Sequence, residues 1–135
     1  MTAIRMQHDV DPAEAIWADM KEIVPHIRVG GHDVLIGMYE RGASDKTKGG
    51  IILVDKTRDE DKYQGKSGMI LKVGPFAFKP DTKSAGWFGS YIPKVGDWVA
   101  INIADTVSMA FGKRTCRLLE AQYVRMIIDS PDVIW

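Results

Sequence analysis

The chain has a single cysteine, Cys116, among 135 residues, so it cannot close an internal disulfide and suits a reducing compartment. Neither sign of charge dominates: Lys plus Arg and Asp plus Glu each number 18. With no net field, nothing draws the whole molecule to nucleic acid or to an anionic membrane. Zero net charge also gives little colloidal repulsion, which a self-assembling subunit tolerates. The opening "MTAIRMQHDVDPAEA" has no apolar core of the signal-peptide kind. No uncharged apolar stretch approaches the roughly 18 residues of a membrane span. These absences lead to the expectation of a cytoplasmic protein that binds neither nucleic acid nor membrane.

Reactive constellations are scarce as well. His8, His26 and His32 are scattered, without the HExxH or CxxC spacing that sets metal ligands on one face. His32 and Asp33 are adjacent, and neighbours on a strand point to opposite faces. Cys116 has no nearby histidine to activate it and reads as a small buried apolar residue. "GKSG" (65–68) lacks the upstream glycine of a phosphate loop. Along "DKTRDEDKYQGK" (55–66), Asp55, Asp59, Glu60 and Asp61 cancel the field of Lys56, Arg58, Lys62 and Lys66, which leaves a solvated connection. The chain is expected not to be an enzyme and to need no metal or cofactor.

What is present is one domain's worth of chain, 45% hydrophobic and 27% charged, enough for a core without staples. "DPAEAIWADMKEIV" (11–24) is the one convincing helix. Asp11 suits its N-cap, Pro12 its first position and Glu14 a capping box, while Pro25 stops it. Ile16, Trp17, Met20, Ile23 and Val24 share a face by helical spacing. Short apolar runs separated by turns follow, the pattern of an all-β barrel or sandwich. Strands are expected within 32–40, 50–56, 67–75, 97–103 and 116–128, the last broken by a turn near Glu120–Ala121, with helical spacing a competitor there. In "DWVAINI", Val99, Ile101 and Ile103 alternate with Trp98, Ala100 and Asn102.

Two loops stand out. Residues 41–48, "RGASDKTK", are small and polar, a composition that goes with mobility. Residues 75–94 hold Phe76, Phe78, Trp87, Phe88 and Tyr91 among glycines and prolines, too aromatic for disorder. After the first loop, Gly49 and Gly50 stand directly before Ile51, Ile52 and Leu53. Either the glycines shape a turn or bulge leading into a buried strand, or free backbone presents an exposed apolar hook.

"PHIRVGGHDVLIGMYERGASDKTKGGIILVDK", "QGKSGMILKVGP", "PKVGDWVAINIAD" and "YVRMII", in this order across about residues 25–128, resemble the GroES co-chaperonin family. His32–Ile36 is similar to its opening "HDRVIV" strand, Gly68–Gly74 to its "G-x-V-x-x-V-G" strand, and Pro93–Val99 to its "V-K-V-G-D-x-V". The resemblance implies an all-β fold, a small partly open β-barrel (25–128) carrying a mobile loop at 40–50 and a roof-type loop at 75–94. It implies assembly into a seven-membered ring that caps a GroEL-type chaperonin and assists protein folding. Gly49, Gly50, Ile51, Ile52 and Leu53 would dock in a groove of that partner. A pliant loop loses entropy on ordering, so each contact stays weak, and seven tethered copies act together by avidity. Three aliphatic side chains, each worth about 1.5–3 kcal/mol when buried, supply the grip. Phe76, Phe78, Trp87, Phe88 and Tyr91 would then be roof or subunit contacts, since interfaces favour aromatics.

The chain departs from the family in its N-terminal extension with a helix (1–24), its C-terminal tail (129–135) and a shortened "AFGKRTC" (110–116). Such trimming and extension resemble divergent co-chaperonins encoded by bacteriophages. They equally suit a GroES-like fold recruited into a virion, as a capsid decoration or connector contacting capsid protein through the helix, Trp135 and the aromatic loop. Zinc-dependent alcohol dehydrogenases carry a GroES-like domain too, but this chain has neither their cysteine/histidine ligand set nor a Rossmann half.

Overall fold

In a computed structural model, residues 6–7, 11–39, 46–47, 66–79, 88–89 and 91–131 are described. Six of the strands form one antiparallel sheet. These are β2 (Asp33–Met38), β4 (Ser67–Val73), β5 (Trp98–Ala100), β6 (Val107–Phe111), β7 (Arg114–Glu120) and β8 (Met126–Ile128). They lie in the order β6-β7-β2-β4-β5-β8. A separate two-stranded ribbon joins β1 (Met6–Gln7) to β3 (Lys46–Thr47). Among the described residues there is one α-helix, α1 (Pro12–Met20). The chain is therefore a small β-rich fold with a helix before its main sheet.

The two central strands are apolar on both faces. Val34, Ile36 and Met38 point into one core cluster with Ile70, Val99 and Leu119, while Leu35 points into a second with Met69, Leu71 and Cys116. Strands buried on both sides read as continuous apolar runs, which is why "DVLIGM" and "GMILKV" show little alternation. A bulge maintains the sorting. Ile36 pairs with Ile70 and Leu35 with Lys72, so Leu71 is the extra residue. Ile70 and Val73 are three positions apart, a spacing that normally puts residues on opposite faces, yet both pack on the first cluster.

Helix α1 closes the second cluster with Ile16 and Met20, both fully buried. Its start follows the sequence expectation: the Asp11 carboxylate accepts from Glu14 N–H at 3.3 Å, with Pro12 at the first position. Its end does not. The α-helix stops at Met20 rather than Val24, and the chain tightens into a 3₁₀ turn over Val24–His26. Pro25 has no N–H to give to the carbonyl four residues back, so the α-helical ladder cannot run through it. Ile23 and Val24 still pack on the helix side of the sheet. The helix sits close because Gly37 makes room: a Cβ there would lie 2.8 Å from Ile16 Cγ2 and 2.9 Å from Leu71 Cδ1.

The expected strand 97–103 is shorter than its alternation suggested. β5 ends at Ala100, and Asn102 caps a 3₁₀ turn over Ile103–Asp105 by accepting from Ala104 N–H at 3.2 Å. The expected break in 116–128 is present: β7 ends at Glu120, a 3₁₀ turn covers Ala121–Tyr123, and β8 follows. β6 lies outside the expected strands. It forms a hairpin with β7 in which Phe111 pairs with Arg114, leaving Gly112–Lys113 as a two-residue turn. Gly112 has φ +62° and Lys113 does not share the left-handed region, which is the glycine-first turn that matches strand twist. The expected strand at 50–56 lies outside the described residues.

Met20→Ala is expected to cost about 2–5 kcal/mol by removing a filled site in the helix-side cluster. Gly37→Ala is expected to destabilise by about 1–3 kcal/mol through overpacking against Ile16. Urea unfolding checks both: each midpoint falls while the slope stays that of the parent chain.

Candidate functional site

Two places in the fold bear on the expected docking function: the base of the 40–65 connection, and the segment 75–97. Of the residues expected to dock, Gly49, Gly50, Ile51, Ile52 and Leu53 lie outside the described residues. What is described is the ground from which that connection departs and to which it returns.

That ground is held by backbone hydrogen bonds on both sides. β2 and β4 are paired neighbours, and beyond their last ladder pair Tyr39 N–H donates to the Ser67 carbonyl at 3.0 Å. On the returning side, Ile101 N–H donates to the Lys66 carbonyl at 2.8 Å. Tyr39 is buried, and its ring meets Trp98 edge-on with centroids 6.2 Å apart. From below, Arg114 reaches both the helix and the strand end. Its Nε and Nη2 donate to Asp19 Oδ2 at 3.1 and 2.9 Å, and its Nη1 donates to the Met38 carbonyl at 3.1 Å. Arg114 is 7% exposed. A buried guanidinium is stable only when paired and hydrogen-bonded, so this contact draws α1 to the exit of the connection. Within the connection, Lys46 and Thr47 pair with Gln7 and Met6.

The second place begins with a backbone clasp. Gly74 N–H donates to the Asp33 carbonyl at 2.8 Å, and Phe76 N–H to the Gly31 carbonyl at 2.9 Å. A Cβ at Gly74 would stand 2.6 Å from the Gly31 carbonyl oxygen, so no larger residue fits. The aromatics that follow divide. Phe78 turns inward, 5% exposed, into the chain's own core, and Phe88 packs against the same cluster. Phe78 does so at φ +59°, a left-handed conformation unfavourable for a bulky residue and held by the packing around the ring. Phe76 remains 56% exposed, its ring tilted against His32 at 5.8 Å, and Tyr91 is exposed as well. Trp87 lies outside the described residues. Ile92 and Val95 are also exposed apolar residues of this segment. They flank the "PK" before a turn and fall in no periodic pattern, so nothing in their spacing marked them.

The turn before β5 is well made. Lys94 N–H donates to Asp97 Oδ2 at 3.0 Å, Asp97 N–H donates to the Lys94 carbonyl at 3.1 Å, and Gly96 takes φ +98°. That is the type II turn which a "K-V-G-D" string specifies. Asp97 Oδ2 also accepts from the Tyr91 hydroxyl at 2.7 Å. This bond, slight desolvation and the carboxylate's charge together hold the Tyr91 phenol above its ordinary pKa of 10.0. Lys94 Nζ stands 5.8 Å from the Tyr91 ring centre.

Two side chains of β7 have structural surroundings. Cys116 is buried, with its Sγ 4.0 Å from Met20 Sδ. Arg117, on the opposite face of β7, donates to Thr106 Oγ1 at 2.9 Å, and burial lowers its pKa. Among the described residues no group of three or more His, Cys, Asp or Glu is placed to hold a metal ion, and no helix is long and apolar enough to cross a membrane. The described residues of these two places offer hydrogen-bonded strand ends and exposed aromatic and aliphatic side chains. Among known proteins, no family model matches the chain and no curated protein matches it.

Two outcomes are expected. Asp19→Ala leaves the Arg114 guanidinium without its carboxylate, and is expected to cost about 1–3 kcal/mol in chemical unfolding. Asp97→Ala removes both charge and acceptor, so the Tyr91 phenol is expected to titrate nearer 10.0, read by tyrosinate absorbance. The sign follows from the raised pKa: the contact's contribution is complete below pH 10.0 and fades as pH climbs through the folded-state value.

Proposed function

We propose that the chain is a ring-forming co-chaperonin with a small partly open GroES-like barrel, which docks on a GroEL-type chaperonin through Gly49, Gly50, Ile51, Ile52 and Leu53. One observation supports this reading above the others. The connection carrying "GGIIL" springs from two paired strands whose ends are tied by the Tyr39–Ser67 hydrogen bond. A weak apolar hook works only if its tether is anchored on something stiff, because avidity among tethered copies depends on fixed anchor points. The segments that resemble the family's opening, central and closing strands lie in one antiparallel sheet, as β2, β4 and β8, and the "VGD" string makes the turn before β5. The function is binding, with no cofactor and no chemical step, in the cytoplasm.

A second reading, a structural protein of a phage virion, draws on the exposed Phe76, Tyr91, Ile92 and Val95. Apolar residues gathered on one surface segment mark interaction sites. The inward turn of Ile16 and Met20 takes the apolar face of α1 out of that role.

Ile52→Asp is expected to abolish co-sedimentation with a GroEL-type chaperonin plus ADP, and the slowing of its ATPase, while the mass of the purified assembly stays that of the parent ring. A parent chain that neither co-sediments nor alters the ATPase removes the co-chaperonin reading. Recovery of the chain at fixed stoichiometry in purified particles decides for the virion.

A further inference from the structure

The six-stranded sheet ends at β6 on one side and at β8 on the other. An edge strand offers unpaired backbone groups to any other strand, and proteins blunt such edges with charge, proline, a bulge or short length. β8 is short, with three residues between Arg125 and Asp129. β6 has none of these defences: "VSMAF" is five residues long, uncharged, free of proline, and in unbroken register with β7. Val107, Ser108 and Ala110 are exposed, Val107 to 62%.

The hairpin fixes which groups face outward. Phe111 and Arg114 close the two-residue turn, and the pair that closes such a turn exchanges both backbone bonds. Bonded and unbonded pairs alternate from there. Phe111, Met109 and Val107 therefore turn their N–H and C=O towards β7, while Ala110 and Ser108 turn theirs away. Side chains sort the same way. Met109 and Phe111 pack on the helix-side cluster, and Val107, opposite Leu118 of that cluster, shares their face.

We propose that β6 is a self-recognition edge: it pairs antiparallel with β6 of a second copy across a two-fold axis at Met109, joining two sheets into one. This contact is independent of the docking reading given above. Outward groups meet only if the axis passes through Ser108, Met109 or Ala110. At Ser108 or Ala110 one end of the strand overhangs; at Met109 all five residues are opposed. Ser108 then exchanges both backbone bonds with Ala110 of the second copy, Val107 meets Phe111, and Met109 meets its own counterpart. The last two are unbonded pairs, whose side chains approach closest, so the exposed Val107 is covered by an aromatic ring.

Charge selects the same register. Asp105 and Lys113 stand two positions beyond the two ends of the strand, and among the described residues neither makes an ion pair. With the axis at Met109, Asp105 of each copy arrives opposite Lys113 of the other. The two alternatives set either charge against an uncharged residue. A formal net charge of zero leaves no general repulsion to hold two copies apart. A contact of this isologous kind is satisfied by one partner and closes.

Ala110→Pro removes an outward N–H at an edge position, where proline is tolerated, so the fold is expected to hold and the pair to fail. Lys113→Asp brings like charges together at both ends and is expected to weaken pairing on the order of ten-fold; adding Asp105→Lys is expected to restore it. Mass is read by light scattering over a rising concentration series, together with amide exchange at Ser108 and Ala110 and the urea midpoint of each variant. The parent is expected to reach twice the mass of Ala110→Pro, whether the unit that doubles is a chain or a ring, while its Ser108 and Ala110 amides slow. Lys113→Asp, at an exposed turn position, carries the test if Ala110→Pro lowers the urea midpoint. Equal masses at every concentration overturn the pair and leave the edge to a strand of another protein. Doubling that persists in Ala110→Pro, or that leaves those amides fast, overturns β6 as the contact. A loss in Lys113→Asp that Asp105→Lys does not reverse overturns the Met109 register.

Discussion

Strands β2 and β4 bury side chains on both faces, and that constraint shapes everything around them. A sheet with Val34, Ile36 and Ile70 on one side and Leu35, Met69 and Leu71 on the other needs cover on each. On the first side, turns and neighbouring strands supply it through Ala77, Phe78, Ile101, Ala121 and Val124. On the second, α1 and the turn after it supply it through Ile16, Met20, Ile23 and Val24. Gly37 is the point of contact, since the absence of its Cβ sets how near the helix can come. The bulge at Leu71 then lets one strand serve both clusters.

Because the helix must lie on this face, its charged side is brought to one end of β2. Asp19 meets Arg114 there, and the guanidinium takes up the Met38 carbonyl at the exit of the connection. Packing and polar satisfaction thus brace the same spot.

Much of the scaffold was legible in the residues. The N-terminus of α1 was written in Asp11, Pro12 and Glu14, the type II turn in Gly96 and Asp97, and the break between β7 and β8 in the change of pattern near Glu120. The hairpin from β6 to β7 is written in Gly112–Lys113 between "VSMAF" and "RTCRLLE", a glycine-first turn between two strand-forming strings. The outward aromatics were only half readable. Phe76 and Phe78 sit in one short string, and one is exposed while the other is buried. Composition marks both as sticky and is silent on which one the turn at 75–78 rotates inward.

Sequence alone determined the local matters: caps, turns, apolar runs, the balance of charge, and the "GGIIL" string that motivates a docking role. These depend on the conformational preferences of a few adjacent residues, and such preferences act wherever the segment ends up. Tertiary structure alone decided which face of β2 the helix covers, that Arg114 joins Asp19 to Met38, that Leu71 bulges, and that Met6–Gln7 pairs with Lys46–Thr47. Each of these brings together residues far apart in the chain. Their energy comes from excluded water and matched donors in a particular packing, and no short stretch of residues contains it.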